Sequence, residues 1–173
     1  MKTIASVTTL ALASSVLVAG AASTAGAEGS AAARARSCAE DSLAYDARAL
    51  PPIASSVVLV TVTNVGGSAC TIDRFPTVTF AGLDGSARPV PPVSSGERRL
   101  DADGRLYAAL RTDDRGGSAR HVPSLTVSAD PAYVGSTFTA SEIGAPAPGI
   151  AVSDPITTLW QDSADEAVNA LPG

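Results

Sequence analysis

Few residues of this chain have the types that enzyme chemistry needs. His121 is the only histidine, so a Ser-His-Asp triad would have to use it. No G-x-S-x-G motif precedes it, and the nearest stretch, Gly66-Gly67-Ser68-Ala69-Cys70, has the pattern of a turn. With three Phe, three Tyr and one Trp, the chain also has few aromatic residues to line a sugar cleft around paired carboxylates. We interpret His121 as a surface residue and expect a protein that is not an enzyme.

The acidic residues form no complete metal site. Asp101-Ala102-Asp103-Gly104 is similar to part of a calcium loop, but it lacks a third ligand before the glycine and a closing glutamate, so a turn is favoured. Asp113-Asp114 beside Arg115 is typical of a solvated loop, with a weak extracellular cation site as the alternative. His121 is too far from the cysteines in sequence for a zinc pattern, and a blue-copper site needs a second histidine. We expect no metal and no cofactor.

Cys38 and Cys70 are the only two cysteines of the chain. In an exported protein, two cysteines most simply form one disulfide. The loop that this bond would close has about 33 residues, which corresponds to roughly 3–4 kcal/mol of stabilisation in the chain-entropy model. With both thiols oxidised, the chain would have no thiolate for a Cys-His hydrolase.

Residues 1–27 have the pattern of a cleavable signal peptide. Lys2 supplies a positive start, Ile4–Val18 is an apolar run, and Ala25-Gly26-Ala27 is a small-x-small cleavage site. An uncleaved membrane anchor is the alternative. A lipid anchor is not expected, because Cys38 lies well downstream of the apolar run. We predict a secreted, extracellular protein with no transmembrane segment after cleavage.

The charge of the chain argues against nucleic-acid partners. Its formal net charge is −5, from 12 basic and 17 acidic residues, and Lys2 is the only lysine. Cleavage of the signal peptide would remove that lysine and make the protein more acidic. A basic face for nucleic acid and a polybasic patch for anionic lipid are therefore both disfavoured.

The stretch Val57–Phe80 has the highest density of strand-forming residues. Val57–Thr63 is almost continuously β-branched, as expected for a strand buried on both faces, and Asn64, Gly66 and Gly67 supply turn residues after it. The predicted strands are Leu43–Leu50 (a short helix is the alternative), Ser56–Thr63, Ala69–Ile72, Thr77–Ala81, Ala87–Val93 (an edge strand or a loop, because of its prolines), Arg105–Thr112, Val122–Ala129, Thr137–Ala140 and Ile150–Trp160 (interrupted by Pro155).

Short strands separated by turns, without a sustained helical period, predict an all-β fold. We expect an antiparallel immunoglobulin-like β-sandwich of seven or eight strands over residues 38–160, with one disulfide. Residues 28–37 are expected to form a disordered lead, and residues 161–173 a flexible tail, with a turn of helix at 164–171 as the alternative.

A series of short motifs resembles one protein family. In chain order the motifs are Cys38, Thr63-Asn64-Val65-Gly66, Ala69-Cys70-Thr71-Ile72, Phe75-Pro76-Thr77-Val78 and Leu83-Asp84-Gly85. Together they resemble the domain of unknown function 4232, found in exported proteins of high-GC Gram-positive bacteria. The sequence departs from that pattern at Arg74, where family members usually carry Gly. The resemblance implies an exported β-sandwich and supplies no activity.

These observations lead to two hypotheses for function. The first is a secreted, non-enzymatic module that binds an envelope component or another exported protein through loops at one end of the sandwich. The loops are Val65–Ala69, Ser94–Gly104 and Asp113–Arg120, and the candidate interaction residues in them are Arg98, Arg99, Asp113, Asp114 and Arg115. The second hypothesis is an inhibitor of secreted proteases, in which Arg98-Arg99 or Arg115 enters a trypsin-like pocket.

Overall fold

Short β-strands form where β-branched and apolar residues alternate or run together. The computed structural model describes residues 36–51, 56–113 and 118–173. In these residues there are twelve strands and one α-helix, preceded by a 3₁₀ turn at Glu40–Ser42. The elements are β1 (Leu43–Ala49), β2 (Val57–Asn64), β3 (Cys70–Asp73), β4 (Thr77–Phe80), β5 (Arg88–Val90), β6 (Glu97–Leu100), β7 (Arg105–Arg111), β8 (Arg120–Val122), β9 (Ser124–Ser128), β10 (Ser136–Thr139), β11 (Ile150–Val152), β12 (Ile156–Thr158) and α1 (Ala164–Asn169).

The N-terminal predictions lie outside the described residues. This holds for the signal peptide, residues 1–27, and for all but the last two residues of the lead, residues 28–37. The described residues belong to one compact unit, residues 34–173.

The largest sheet has five strands in the order β1-β2-β7-β12-β5. β2 lies between β1 and β7 and pairs antiparallel with both along its length. β12 pairs antiparallel with β7 and parallel with β5. The proline-rich stretch Ala87–Val93 therefore supplies an edge strand, as predicted. β2 is buried on both faces as expected, because Val58, Val60 and Val62 belong to the main core whereas Leu59 packs on the opposite side.

Three smaller sheets occur in the described residues, with the orders β10-β9-β4, β11-β8 and β3-β6. Their apolar residues close one core with the five-stranded sheet. Fully buried members of this core include Val60, Val62, Val78, Leu100, Leu110, Leu125 and Val127. The prediction of an all-β protein with one disulfide is confirmed. The strands are more numerous than the predicted seven or eight and are distributed over several small sheets.

Two predictions about individual strands were wrong. The predicted strand Val122–Ala129 is divided at Pro123, which has no backbone N–H to donate, into β8 and β9 of different sheets. The predicted polar connection Ser94–Arg99 contains most of β6. A charged stretch can form this strand because alternate side chains face opposite sides of it. Leu100 lies on the inner side and is only 1% exposed, whereas the charged side chains can face outward.

Residues 161–173, predicted as a flexible tail, carry α1, which packs on the side of the five-stranded sheet away from the main core. The Ser163 hydroxyl caps the helix by accepting a hydrogen bond from Glu166 N–H at 3.3 Å. Ala167 is fully buried in a small cluster with Leu59 and Ala109. Within the described ranges, no helix is long and apolar enough to span a membrane.

Candidate functional site

The predicted disulfide joins Cys38, at the start of the fold, to Cys70, the first residue of β3. The segment around Cys38 also runs parallel to β3. Cys38 N–H donates to the Thr71 carbonyl at 2.9 Å, and Thr71 N–H donates to the Arg36 carbonyl at 3.0 Å. The disulfide therefore reinforces a contact that backbone hydrogen bonds also define.

Asn64, the last residue of β2, is buried at this end of the fold, where its side chain binds several segments of the chain. Its surface is 0% exposed, and its Nδ2 donates to the carbonyls of Ser68 at 2.9 Å and Asp101 at 3.0 Å. The same atom lies 3.4 Å from Cys70 Sγ, and Oδ1 accepts from Gly66 N–H at 2.9 Å. A buried amide whose groups are all paired fixes its neighbours in place. Asn64 thus holds the loop after β2 and the turn after β6 against each other.

Each of the two segments contains a glycine at a close approach of the chain. A Cβ on Gly66 would lie 3.1 Å from Asn64 Oδ1 and 3.1 Å from Ser42 Cβ, so glycine allows the loop to sit on the end of β2. In the turn after β6, Gly104 N–H donates to the Asp101 carbonyl at 3.0 Å, and the Gly104 carbonyl accepts from Asn64 N–H at 3.0 Å.

A third loop, Asp130–Gly135, reaches the same end. The Tyr133 hydroxyl donates to the Cys38 carbonyl, and Gly135 N–H donates to Glu40 Oε1 at 2.7 Å. This loop is not among the three predicted from the sequence, because nothing in its composition links it to the distant cysteine. We define the disulfide-end surface as Val65–Ala69, Asp101–Gly104 and Asp130–Gly135.

Two exposed hydrophobic side chains lie on the disulfide-end surface. Val65 is 57% exposed and Val134 is 84% exposed, and they are the exposed large hydrophobic residues of the described chain. Both flank the 3₁₀ turn Glu40–Ser42, since Val65 N–H donates to the Ser42 carbonyl at 2.8 Å and the residue after Val134 binds Glu40. Both exposed valines thus lie beside one three-residue turn, where a single partner could contact them together.

A hollow of about 440 Å³ lies beside the disulfide. Its lining combines backbone with Arg36 and the hydroxyls of Ser37, Ser42 and Ser68. These groups offer hydrogen bonds and one positive charge, and the described lining residues include no imidazole, carboxylate or free thiol.

His121 lines a second cleft, of about 370 Å³, together with Ser56 and Asp113. The three residue types of a hydrolytic triad therefore share a cleft, but they lack the geometry of a triad. The Ser56 hydroxyl donates to the backbone carbonyl of Asp113 at 2.9 Å. His121 is exposed, as predicted, and its side chain forms no hydrogen bond or ion pair within the described residues.

Arg98 and Arg99 lie on β6, so their assignment to a loop was wrong. Strand β6 pairs with β3 along its whole length, which explains why this charged stretch is ordered. Arg98 Nη2 lies 2.6 Å from Asp162 Oδ1, and Arg99 Nε lies 2.7 Å from Asp101 Oδ1. Arg99 is the more accessible of the two, with 65% of its side chain exposed against 36% for Arg98.

The three predicted loops do not gather at one end. Asp113 follows β7, whose last residues pair with the first residues of β2, whereas Asn64 is the last residue of β2. Asp113 therefore lies at the opposite end of the five-stranded sheet from the disulfide-end surface. The other two predicted interaction residues, Asp114 and Arg115, lie outside the described residues.

Arg74, the departure from the resembled pattern, covers Gly96. A Cβ on Gly96 would collide with the Arg74 guanidinium, so the glycine makes room for it. The Asp73 carboxylate joins the two segments, since Oδ1 accepts from Gly96 N–H at 3.0 Å and from Arg74 N–H at 2.6 Å. The Arg74 carbonyl accepts from Trp160 N–H at 3.0 Å, which connects this corner to the end of the last strand.

Two side chains have shifted pKa values with clear causes. Burial raises the pKa of Tyr45, whose hydroxyl oxygen accepts a hydrogen bond from Ala129 N–H at 3.0 Å. Hydrogen bonds from the backbone N–H and the hydroxyl of Thr139 lower the pKa of Glu142. Within the described residues, no group of three or more His, Cys, Asp or Glu side chains could hold a metal ion.

Comparison with protein-family models gives a match over most of the fold. The model described as Domain of unknown function (DUF4232) matches residues 38–161. The match begins at Cys38 and extends past β12, so it includes the second half of the fold as well as the motif-bearing first half. No curated protein and no solved structure matches the chain. The resemblance seen in the sequence motifs is confirmed.

Proposed function

The chain belongs to the DUF4232 family, and we propose that it is a secreted, non-enzymatic module that binds an envelope component or another exported protein. Contact is made through the disulfide-end surface. The observation that carries this proposal is the convergence of Val65 and Val134, the exposed large hydrophobic residues of the described chain, on the turn Glu40–Ser42.

Rigid loops support this assignment. A loop that is already ordered loses less conformational entropy when a partner binds. The hydrogen bonds of Asn64, the bond between Gly135 and Glu40, and the Cys38–Cys70 disulfide order the three loops of the surface. The hollow beside the disulfide adds hydrogen-bonding groups next to the loop Val65–Ala69.

Secretion is supported by the disulfide together with the pattern of residues 1–27. Disulfides persist in oxidising compartments and are rare in the cytosol. Export with cleavage after Ala27 predicts protein in the culture medium that starts near Glu28 and lacks free thiols. Mass spectrometry of the medium under non-reducing conditions tests both points, and a cell-retained protein of full length would contradict them.

The arrangement of the sheets supports an immunoglobulin-like sandwich as the finer description of the fold. The five-stranded sheet contributes Val60 and Leu106 to the main core, and β4 and β9 contribute Val78 and Leu125 to the same core. Two facing layers of this kind pack with strand directions about 30° apart in an aligned sandwich. An experimental structure with sheets crossing near a right angle would exclude this description.

The binding proposal is tested by a capture experiment with matched variants. The purified protein is immobilised, and envelope and culture-medium fractions of its own host are passed over it. Val65→Asp and Val134→Asp should each abolish retention of a stoichiometric partner, because a charge would replace an apolar contact. Thr79→Asp, at an exposed position on β4, is the control and should retain the partner. Equal retention by all three variants would refute the assignment to the disulfide-end surface.

A second candidate is inhibition of secreted trypsin-like proteases, favoured by the setting of Arg99. Its side chain is 65% exposed on a strand that pairs with β3, which bears the disulfide residue Cys70. An inhibitor needs such an accessible side chain on a firmly held backbone. Slow-dissociating inhibition that is lost in Arg99→Ala and kept in Arg48→Ala would support it. Rapid cleavage after Arg99 would show that the protein is a substrate of the protease and not an inhibitor.

A further inference from the structure

Strand β6 has a single strand partner in the described residues, β3. On β3, Thr71 directs both its backbone groups away from β6, because its N–H donates to Arg36 and its carbonyl accepts from Cys38. Asp73 N–H likewise donates to Ala129. Backbone groups alternate in direction along a strand. The alternate residues of β3, Cys70 and Ile72, therefore form the hydrogen bonds to β6.

The register of the pair then identifies which residues of β6 face outward. Leu100 and Arg98 lie opposite Cys70 and Ile72 and bond to β3, so Glu97 and Arg99 direct their N–H and carbonyl groups to the other side. Both residues are exposed, and their backbone groups have no hydrogen-bond partner in the described part of the chain. An edge of this kind is a template for a further strand.

Another edge strand in this protein is capped. At β10, the Glu40 carboxylate accepts from Gly135 N–H at 2.7 Å, and the Glu142 carboxylate accepts from Thr139 N–H at 2.7 Å. These side chains occupy donors at both ends of the strand that an incoming chain would need. At β6, no side chain of the described residues accepts a hydrogen bond from the backbone N–H of Glu97 or Arg99.

We propose that β6 is a self-association edge, which pairs antiparallel with β6 of a second copy of the chain. Hydrogen-bonded pairing requires that outward residues of the two copies face each other. Three registers meet this condition: Glu97 opposite Glu97, Arg99 opposite Arg99, and Glu97 opposite Arg99. Only the last register brings opposite charges together, and the two-fold symmetry of the pair produces that contact twice.

The positions of the charges along β6 therefore favour one register, with a second copy of the chain as the partner. Arg99 now contacts Asp101, but both side chains are largely exposed, 65% and 71%, so this pair holds Arg99 weakly. The two-fold axis would pass beside Arg98, which faces its own copy in the second molecule. Each Arg98 has a carboxylate beside it, Asp162 at 2.6 Å, which reduces the net charge at the axis.

The proposal is tested by charge reversal and mixing. Sedimentation equilibrium of the purified protein should show a dimer that forms with increasing concentration and weakens with salt. Glu97→Arg and Arg99→Glu should each weaken self-association at least tenfold, because each places like charges opposite one another. A mixture of the two variants should associate again. One variant then carries arginine at both outward positions and the other carries glutamate at both, so opposite charges face each other in the mixed pair.

Control variants separate this contact from general charge effects. Asp46→Arg and Arg48→Glu change exposed residues of β1 and should leave the dimer unchanged. Circular dichroism of each variant establishes that it is folded. The proposal is overturned if the wild-type protein is monomeric at every concentration, if the single reversals do not weaken the dimer, or if mixing them does not restore it. Capture of a strand from a different protein by a monomeric wild type would likewise exclude the second copy.

Discussion

The Nδ2 atom of Asn64 lies 3.0 Å from the carbonyl oxygen of Asp101, 37 residues further along the chain. This bond joins the end of β2 to the end of β6, two strands of different sheets. The same nitrogen binds the Ser68 carbonyl at 2.9 Å, so one buried amide serves two segments of the disulfide-end surface. The order of an exposed surface therefore depends on a side chain that solvent does not reach.

Replacing Asn64 should destabilise the whole fold. Asn64→Ala leaves the carbonyls of Ser68 and Asp101 and the N–H of Gly66, all partly buried, without their partner, and each group left unsatisfied costs about 1–3 kcal/mol unless water replaces the amide. We expect a loss of about 2–4 kcal/mol in the free energy of unfolding, measured by urea titration. Thr61→Ala, on the same strand but only partly buried, is the control. A loss below about 0.5 kcal/mol, within the range of surface substitutions, would contradict the role of Asn64.

Removing the disulfide should cost a comparable amount. Cys38→Ser with Cys70→Ser opens a loop that spans a sequence separation of 32 residues, for which the chain-entropy model gives roughly 3–4 kcal/mol. The parallel backbone contact between Cys38 and Thr71 can persist, so we expect a folded but less stable protein. Thermal unfolding of the double variant, beside the wild type with and without reductant, measures this loss. Equal melting temperatures for all three samples would rule the effect out.

The sequence was sufficient for the apolar strands, because their signal is local. Val57–Thr63 is β-branched almost throughout, and the structure places β2 there, buried on both faces. The disulfide followed from counting cysteines, since only one pair is possible. The division of Val122–Ala129 at Pro123 could have been read from the missing N–H of proline, but the apolar alternation on both sides of it favoured one continuous strand.

The disulfide-end surface could be predicted only in part, because it depends on contacts between distant residues. The loop Val65–Ala69 was chosen from its turn residues, whereas Val134 has no local feature that links it to Glu40, almost a hundred residues away. For the same reason Arg98 and Arg99 were placed in a loop. Their strand forms through β3, and a charged stretch shows no apolar alternation before its partner is known.

Gly96 should tolerate a side chain at lower cost when Arg74 is shortened. In Gly96→Ala the new methyl group meets the Arg74 guanidinium, which must move from its place between the two segments. We expect a loss of about 1 kcal/mol, at the low end of the range for overpacked sites, because the group that must move is the end of a flexible side chain. In the Arg74→Ala background the same substitution should cost less than about 0.5 kcal/mol, because the obstructing group is gone. A double-mutant cycle by urea unfolding measures the difference, and additive losses would show that the two residues do not interact.

The stability of the fold should decrease at high pH through Tyr45. Burial raises its pKa above the ordinary value of 10.0, so the folded protein holds the phenolic proton more tightly than the unfolded chain. The resulting stabilisation is complete below about pH 10 and is lost as pH rises through the folded-state pKa.

Tyr45→Phe removes both this dependence and the hydrogen bond to Ala129 N–H, so the variant should be less stable at neutral pH, by about 1 kcal/mol. The difference between the wild type and the variant should then shrink above about pH 10, because only the wild type has this proton to lose. Urea unfolding at a series of pH values follows that difference, and a constant gap from about pH 8 to about pH 11 would show that Tyr45 does not couple ionisation to folding.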